Sequence, residues 1–174
     1  AVNVISSGML PELQSGRELS KVDIGSGLTH AALLLQQQIA LANKGIYEAA
    51  QARPECAGMG TTLVAAVFFQ NRVSIGHIGD SRAYRWRGGQ LEQLTRDHSL
   101  LQEQLDAGLI TPAQAALSTH RNLVTRALGI EPAVALETHE HAVLPGDCHL
   151  LCSDGLTDMV LITEAQPVDR PGPR

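Results

Sequence analysis

The sequence predicts an α+β sandwich in which hairpin-linked strands sit inside and long helices outside, not a run of alternating βαβ units. Three observations point there. Residues 61–69 and 73–78 are apolar runs parted by three residues that include the turn pair Asn71-Arg72. Residues 83–86 and 90–94 flank the turn Arg87-Gly88-Gly89. Residues 28–52 carry an apolar stripe at helical spacing, bounded by Pro54.

In chain order, Val2, Ile5, Met9 and Leu13 follow near-helical spacing from the first residues, with Pro11 expected to disturb the last turn. No capping residue precedes Ala1, so this reads as a helix entered part-way. Residues 15–27 form a polar connection punctuated by Gly16, Gly25 and Gly27. The helix over 28–52 buries Leu35, Ile39, Ala42, Ile46 and Ala49. Gly45 inside it costs up to about 1 kcal/mol relative to Ala. Residues 61–69 are nearly continuously apolar, the pattern of a strand covered on both faces. Asn71-Arg72 turns the chain into 73–78, and the second hairpin follows.

Residues 95–128 change character. Leu100, Leu101, Leu105 and Leu109 predict a short helix, and Thr111-Pro112 starts another through Leu117. A polar helical segment between strand regions reads as an inserted flap. Residues 134–143 alternate weakly, and Pro145-Gly146-Asp147 turns into a strand over 148–152. From Gln166 the chain carries three prolines and is expected to be disordered.

Composition narrows the function. With 174 residues, one domain can bury a sizeable core. Aromatics make up only 3%, so that core is Leu, Val, Ile and Ala. The formal charge is -5 with no clustered Lys or Arg, which argues against a nucleic-acid partner. Cys148 and Cys152, four apart on a strand, stand roughly 13 Å apart, beyond the ~7 Å between α-carbons that a disulfide spans. Cys56 leaves an odd count, which suits the cytoplasm. No apolar run approaches the ~20 residues of a membrane helix, and no signal pattern opens the chain.

Two segments place an aspartate where an apolar strand should end: Ile75-Gly76-His77-Ile78-Gly79-Asp80-Ser81-Arg82 and Leu150-Leu151-Cys152-Ser153-Asp154. A carboxylate beside a buried strand costs several kcal/mol unless it is paired. Two at strand ends suggest a shared partner, and a divalent cation with oxygen ligands fits.

Four segments in order carry a resemblance: Gly58-Met59-Gly60-Thr61-Thr62, Gly79-Asp80-Ser81-Arg82, Thr95-Arg96-Asp97-His98-Ser99 and Ser153-Asp154-Gly155-Leu156-Thr157-Asp158. With these the chain resembles the bacterial branch of the metal-dependent, PPM-type protein serine/threonine phosphatases, over residues 1–160. The resemblance implies an α-β-β-α sandwich of two antiparallel sheets with flanking helices, holding Mg2+ or Mn2+ at one end. It implies Asp154 and Asp80 as metal ligands, the second associated with a third metal. It places the flap, residues 95–128, beside the site, with Asp97, His98 and Arg82 as candidate substrate contacts. The implied chemistry is hydrolysis of phosphoserine or phosphothreonine by metal-activated water. The implied partners are phosphorylated proteins, substrates of a Ser/Thr kinase.

The family's Asp-Gly-x-Gly-Gly motif and its final Asp-Asn strand do not stand in this sequence. The chain is therefore expected to be truncated at both ends, incomplete at its sheet edges, with residues 161–174 a tail. Little or no phosphatase activity is expected of it alone. The alternative is a non-catalytic phosphoprotein-binding module, and a third reading is an oligomer built on exposed edges.

Plainer roles stand beside the sharper ones. Asp158 reads first as a helix N-cap or surface acid. Asp97 reads as a turn or cap residue at least as readily as a chemical one. His139-Glu140-His141 reads as a solvated edge strand before a zinc site, which would need further ligands. Arg82, Arg85 and Arg87 read as one hairpin face paired with acids. Gly58 and Gly60 ease a tight loop, and Gly25-Ser26-Gly27 lacks nucleophile-elbow spacing.

Overall fold

A computed structural model describes residues 1–15, 18–118 and 123–159. The expected tail lies outside the described residues. Helix α1 spans Val2–Gln14 and α2 spans His30–Ala52. Thr29, not Leu28, starts α2: its side chain accepts a hydrogen bond from the Ala32 amide at 3.2 Å. Contrary to expectation, α1 continues through Pro11 to Gln14. Its apolar stripe is anchored, with Met9 buried and Ala1 and Ile5 packed against the core. Gly8 permits the close approach, because a Cβ there would strike the Gln38 side chain of α2.

A 3-10 turn at Pro54–Cys56 leads to strands β1 (Leu63–Phe69) and β2 (Arg72–Ile78), then β3 (Arg82–Arg87) and β4 (Gln90–Gln93). The first hairpin turns on Gln70-Asn71, one residue earlier than expected, with Gln70 at φ 48°. The second turns on Gly88-Gly89, both at positive φ, the geometry that matches strand twist. Helices α3 (Leu100–Asp106) and α4 (Pro112–Ala116) follow. Thr111 and Gln114 close a reciprocal capping box on α4. Strands β5 (Glu137–Ala142) and β6 (Cys148–Cys152) and the one-turn α5 (Asp154–Thr157) complete the described residues. No expectation covered α5.

Two three-stranded antiparallel sheets result, ordered β1-β2-β5 and β4-β3-β6. Strand alternation assigns their faces. On β2, Gly76 and Ile78 face α2, and Leu35 and Ile39 pack where a Gly76 side chain would stand. Val73 and Ile75 point the other way and pack with Ala83 and Leu94 of the second sheet. Burying each such side chain is worth about 1.5–3 kcal/mol. Most of β1 is covered on both faces, as expected: Leu63, Ala65, Val67 and Phe69 pack against the first core and Val64 and Ala66 against the second. It is an edge strand, and Phe68 is 52% exposed while Val67 and Phe69 are buried. The Phe68 ring meets the His149 ring edge-on, with centroids 5.1 Å apart.

Candidate functional site

The two sheets bring the ends of β2 and β6 to the same side of the molecule. Strand β2 stops at Gly79, which takes φ +93°, a conformation open to glycine. The turn is closed from two directions. Thr62 covers Gly79, so that a Cβ there would lie 2.7 Å from the Thr62 Cβ. On the other side, the His98 amide donates to the Gly79 carbonyl at 2.9 Å, and His98 Nδ1 accepts from the Gly79 amide at 3.1 Å. Ser81 Oγ meets Thr62 Oγ1 at 2.8 Å and ties the next residue down. Asp80 is the residue held between these anchors.

Asp154 follows β6 through the N-cap Ser153 and opens α5. Its Oδ1 accepts from the Gly155 amide at 2.8 Å. Asp80 and Asp154 line one open cleft of about 340 Å³. Arg82, Asp97 and Asp158 share its rim, and Leu101, Leu105 and Pro112 form the wall contributed by α3 and α4. Burial pushes the Asp80 carboxyl above its usual range, and the negative charges of Asp154 and Asp97 push it the same way against Arg82. The cleft thus gathers more negative charge than its own cations offset. Two hard carboxylates in an open cleft fit a divalent cation that keeps several waters.

The other candidate residues separate. Asp97 neither caps nor turns: its carboxylate accepts from Arg82 Nε at 2.9 and 3.0 Å and from Nη2 at 2.5 Å. Arg82 also donates to the Tyr84 hydroxyl at 3.2 Å. His98 does not line the cleft. It is 4% exposed and packs behind it. Asp158 stands at the C-terminal end of α5, so the N-cap reading fails; it is exposed on the cleft rim. The three arginines do pair with acids, Arg85 with Glu92 and Arg87 with Asp147, but alternation puts Arg82 on the opposite face from the other two.

In β5, His139 and His141 face the second sheet while Glu140 faces the helices. Glu140 accepts from Ser74 Oγ at 2.6 Å, from Arg72 at 3.2 Å and from Thr29 Oγ1. It fastens the α2 N-terminus to the first sheet, a structural role that sequence reading missed.

Sequence reading also missed a buried group beside Gly79. His77, His98 and Glu137 bring donor atoms within 4.8 Å of one another. The His77 and His98 rings stack at 4.8 Å. The alternation of β2 could have flagged His77, which shares a face with Val73 and Ile75. Among the described residues no helix is long and apolar enough to cross a membrane.

Fold and site together define a two-sheet α+β sandwich with a carboxylate-lined cleft at one end. The Protein phosphatase 2C family model matches residues 5–104, and the chain belongs to that family, the PPM-type serine/threonine phosphatases. It is 42% identical over 134 residues to the serine/threonine phosphatase stp of Listeria monocytogenes, a match covering 77% of this chain and 53% of that protein. The chain thus spans about half the length of that relative. The Mycobacterium tuberculosis phosphatase PstP/Ppp superposes with a TM-score of 0.77 at 32% identity, covering 92% of this chain and 64% of that one. The PstP catalytic domain in complex with two manganese ions superposes with a TM-score of 0.69 at 33% identity, over 92% and 63% of the two chains.

Proposed function

We propose that the cleft is the divalent-cation site of a metal-dependent phosphatase acting on phosphoserine and phosphothreonine in proteins. The meeting of Asp80 and Asp154 in one cleft carries this reading. The two manganese ions of the PstP catalytic domain support it. Asp80 and Asp154 are the residues that would hold Mg2+ or Mn2+, with water filling the remaining positions. When bound, such a cation makes water a nucleophile near neutral pH and offsets phosphoryl charge. The chain's own part is to fix the carboxylates. Gly79 and Ser81 are anchored on either side of Asp80, and Asp97 keeps Arg82 in place on the rim. The wall from α3 and α4 shapes access for a protein segment. Free thiols at Cys56, Cys148 and Cys152 suit the cytoplasm, where a Ser/Thr kinase would be opposed.

Two carboxylates are few for two cations, so weak turnover is expected of this chain alone. Titration with Mn2+, followed by assay of phosphate release from a phosphothreonine peptide, tests the reading. Mn2+ binding that Asp80→Asn or Asp154→Asn removes, with weak Mn2+-dependent release, is expected. Binding that both variants leave unchanged overturns the site. Peptide binding without any release favours the non-catalytic phosphoprotein-binding module instead.

A further inference from the structure

The buried group behind Gly79 has the ligand types of a metal site, yet its hydrogen bonds give it another task. His98 Nδ1 accepts from the Gly79 amide, so its ring proton sits on Nε2. That Nε2 lies 3.1 Å from Glu137 Oε1, without a well-aligned hydrogen bond. A cation at Nε2 would need the lone pair that the proton occupies. His77 is oriented separately, with Nε2 at 2.8 Å from the Arg96 carbonyl.

We propose that His98 is a positioning residue for Asp80, holding the Gly79 peptide at both its amide and its carbonyl, with Glu137 selecting the Nε2–H form that makes this possible. Three features support the assignment. The His98 backbone and ring both engage Gly79, at 2.9 and 3.1 Å. The ring is 96% buried, since its exposure is 4%, so water does not compete for Nδ1. Glu137 is itself held near this geometry: His139 Nε2 stands 3.5 Å from Oε2 and Arg126 Nη1 3.6 Å from Oε1. A carboxylate beside Nε2 favours a proton there, which leaves Nδ1 free to accept. The linkage runs from β5 through the start of the flap to the turn carrying Asp80. Outer partners of this kind set ligand orientation, and losing one weakens metal binding about 10–100-fold.

The inference rests on the metal reading of Asp80, and the test separates the two. Asn at position 98 can set a carbonyl oxygen where Nδ1 stands, while Gln reaches the position of Nε2. Mn2+ affinity and Gly79 amide exchange are measured for the full chain and for His98→Asn, His98→Gln and Asp80→Asn. His98→Asn is expected to keep Gly79 protected and to bind Mn2+ within about threefold of the parent. His98→Gln is expected to release Gly79 and to weaken binding about tenfold or more. Equal losses in the two variants, or unchanged Gly79 exchange in His98→Gln, overturn the proposal. Unchanged Mn2+ binding in Asp80→Asn removes the metal reading, while Gly79 exchange still decides the positioning. Should His98→Gln not fold, ring nitrogen shifts of the parent chain decide. A protonated Nε2 with an accepting Nδ1 supports the assignment, and the reverse overturns it.

Discussion

Asp97 grips the single guanidinium of Arg82: its two oxygens share the Nε proton, and Oδ2 also accepts from Nη2. The carboxylate side chain is 9% exposed and the guanidinium side chain 30%. Hydrogen bonding to Asp97 pushes the Arg82 guanidinium above its already high range. A forked, charge-assisted pair with one buried partner resists separation. Asp97→Ala is expected to destabilise the chain by about 1–3 kcal/mol. Urea denaturation of both single variants and of Arg82→Ala/Asp97→Ala should give a coupling energy of about 1–2 kcal/mol. Additive losses would mean the pair contributes little.

Three glycines should respond differently to the same methyl group. At Gly79 the positive φ combines with Thr62, whose Cα would lie 3.2 Å from a new Cβ. Gly79→Ala is expected to cost about 2–4 kcal/mol, from strain and overpacking together. Gly88 shares the positive φ but has open space around it, so Gly88→Ala should cost about 1 kcal/mol. Gly45 sits in α2 with nothing within 4 Å of a new Cβ, and Gly45→Ala should stabilise by about 0.5–1 kcal/mol. Thermal melts of the three variants give the order directly; a Gly79→Ala melt matching that of Gly88→Ala contradicts the packing argument.

These contrasts also mark how much of the molecule was legible in the sequence. Helical spacing gave the α2 stripe at Leu35, Ile39 and Ala42, and turn chemistry gave the Gly88-Gly89 hairpin. Local signals failed where tertiary contacts override them. Pro11 looked like a breaker, but the packing of α1 on α2 carries the helix past it. The apolar run of β1 signalled cover on both faces, but composition does not reveal its edge position. At the cleft, Asp80 and Asp154 drew notice because carboxylates at strand ends are unusual. Asp97 offered no local hint of Arg82, fifteen residues earlier, as its partner. Glu137 was invisible as a neighbour of His98, because only strand pairing across the first sheet brings β5 beside Gly79.

The charge on Asp80 should work against the fold that holds it. Its carboxyl is pushed up first by burial and then by Asp154 and Asp97. A group with a raised folded value adds stability below its unfolded value and loses it as pH climbs through the folded one. At neutral pH the ionised side chain is therefore a burden. Asp80→Asn is expected to raise the Tm of the metal-free chain slightly, while removing Mn2+ binding. A lower Tm for the variant would contradict the electrostatic reading of the cleft.

Acid should weaken this fold earlier than carboxylate titration alone would. His77, His141 and His149 are each held below the usual imidazole range, in every case chiefly by burial. Arg85 adds to the effect at His141, while Asp147 opposes it at His149. Each ring also has a buried nitrogen without a hydrogen-bond partner: Nδ1 of His77 and Nε2 of the other two. A proton added there would find no acceptor. Below about pH 6.5 the unfolded chain takes up protons that the folded chain refuses, so stability falls as pH falls. Urea midpoints measured from pH 8 to pH 5 should stay level above pH 7 and drop below pH 6.5. His149→Gln should make that drop shallower; a midpoint that holds steady or rises toward pH 5 would show that these rings accept protons freely in the folded state.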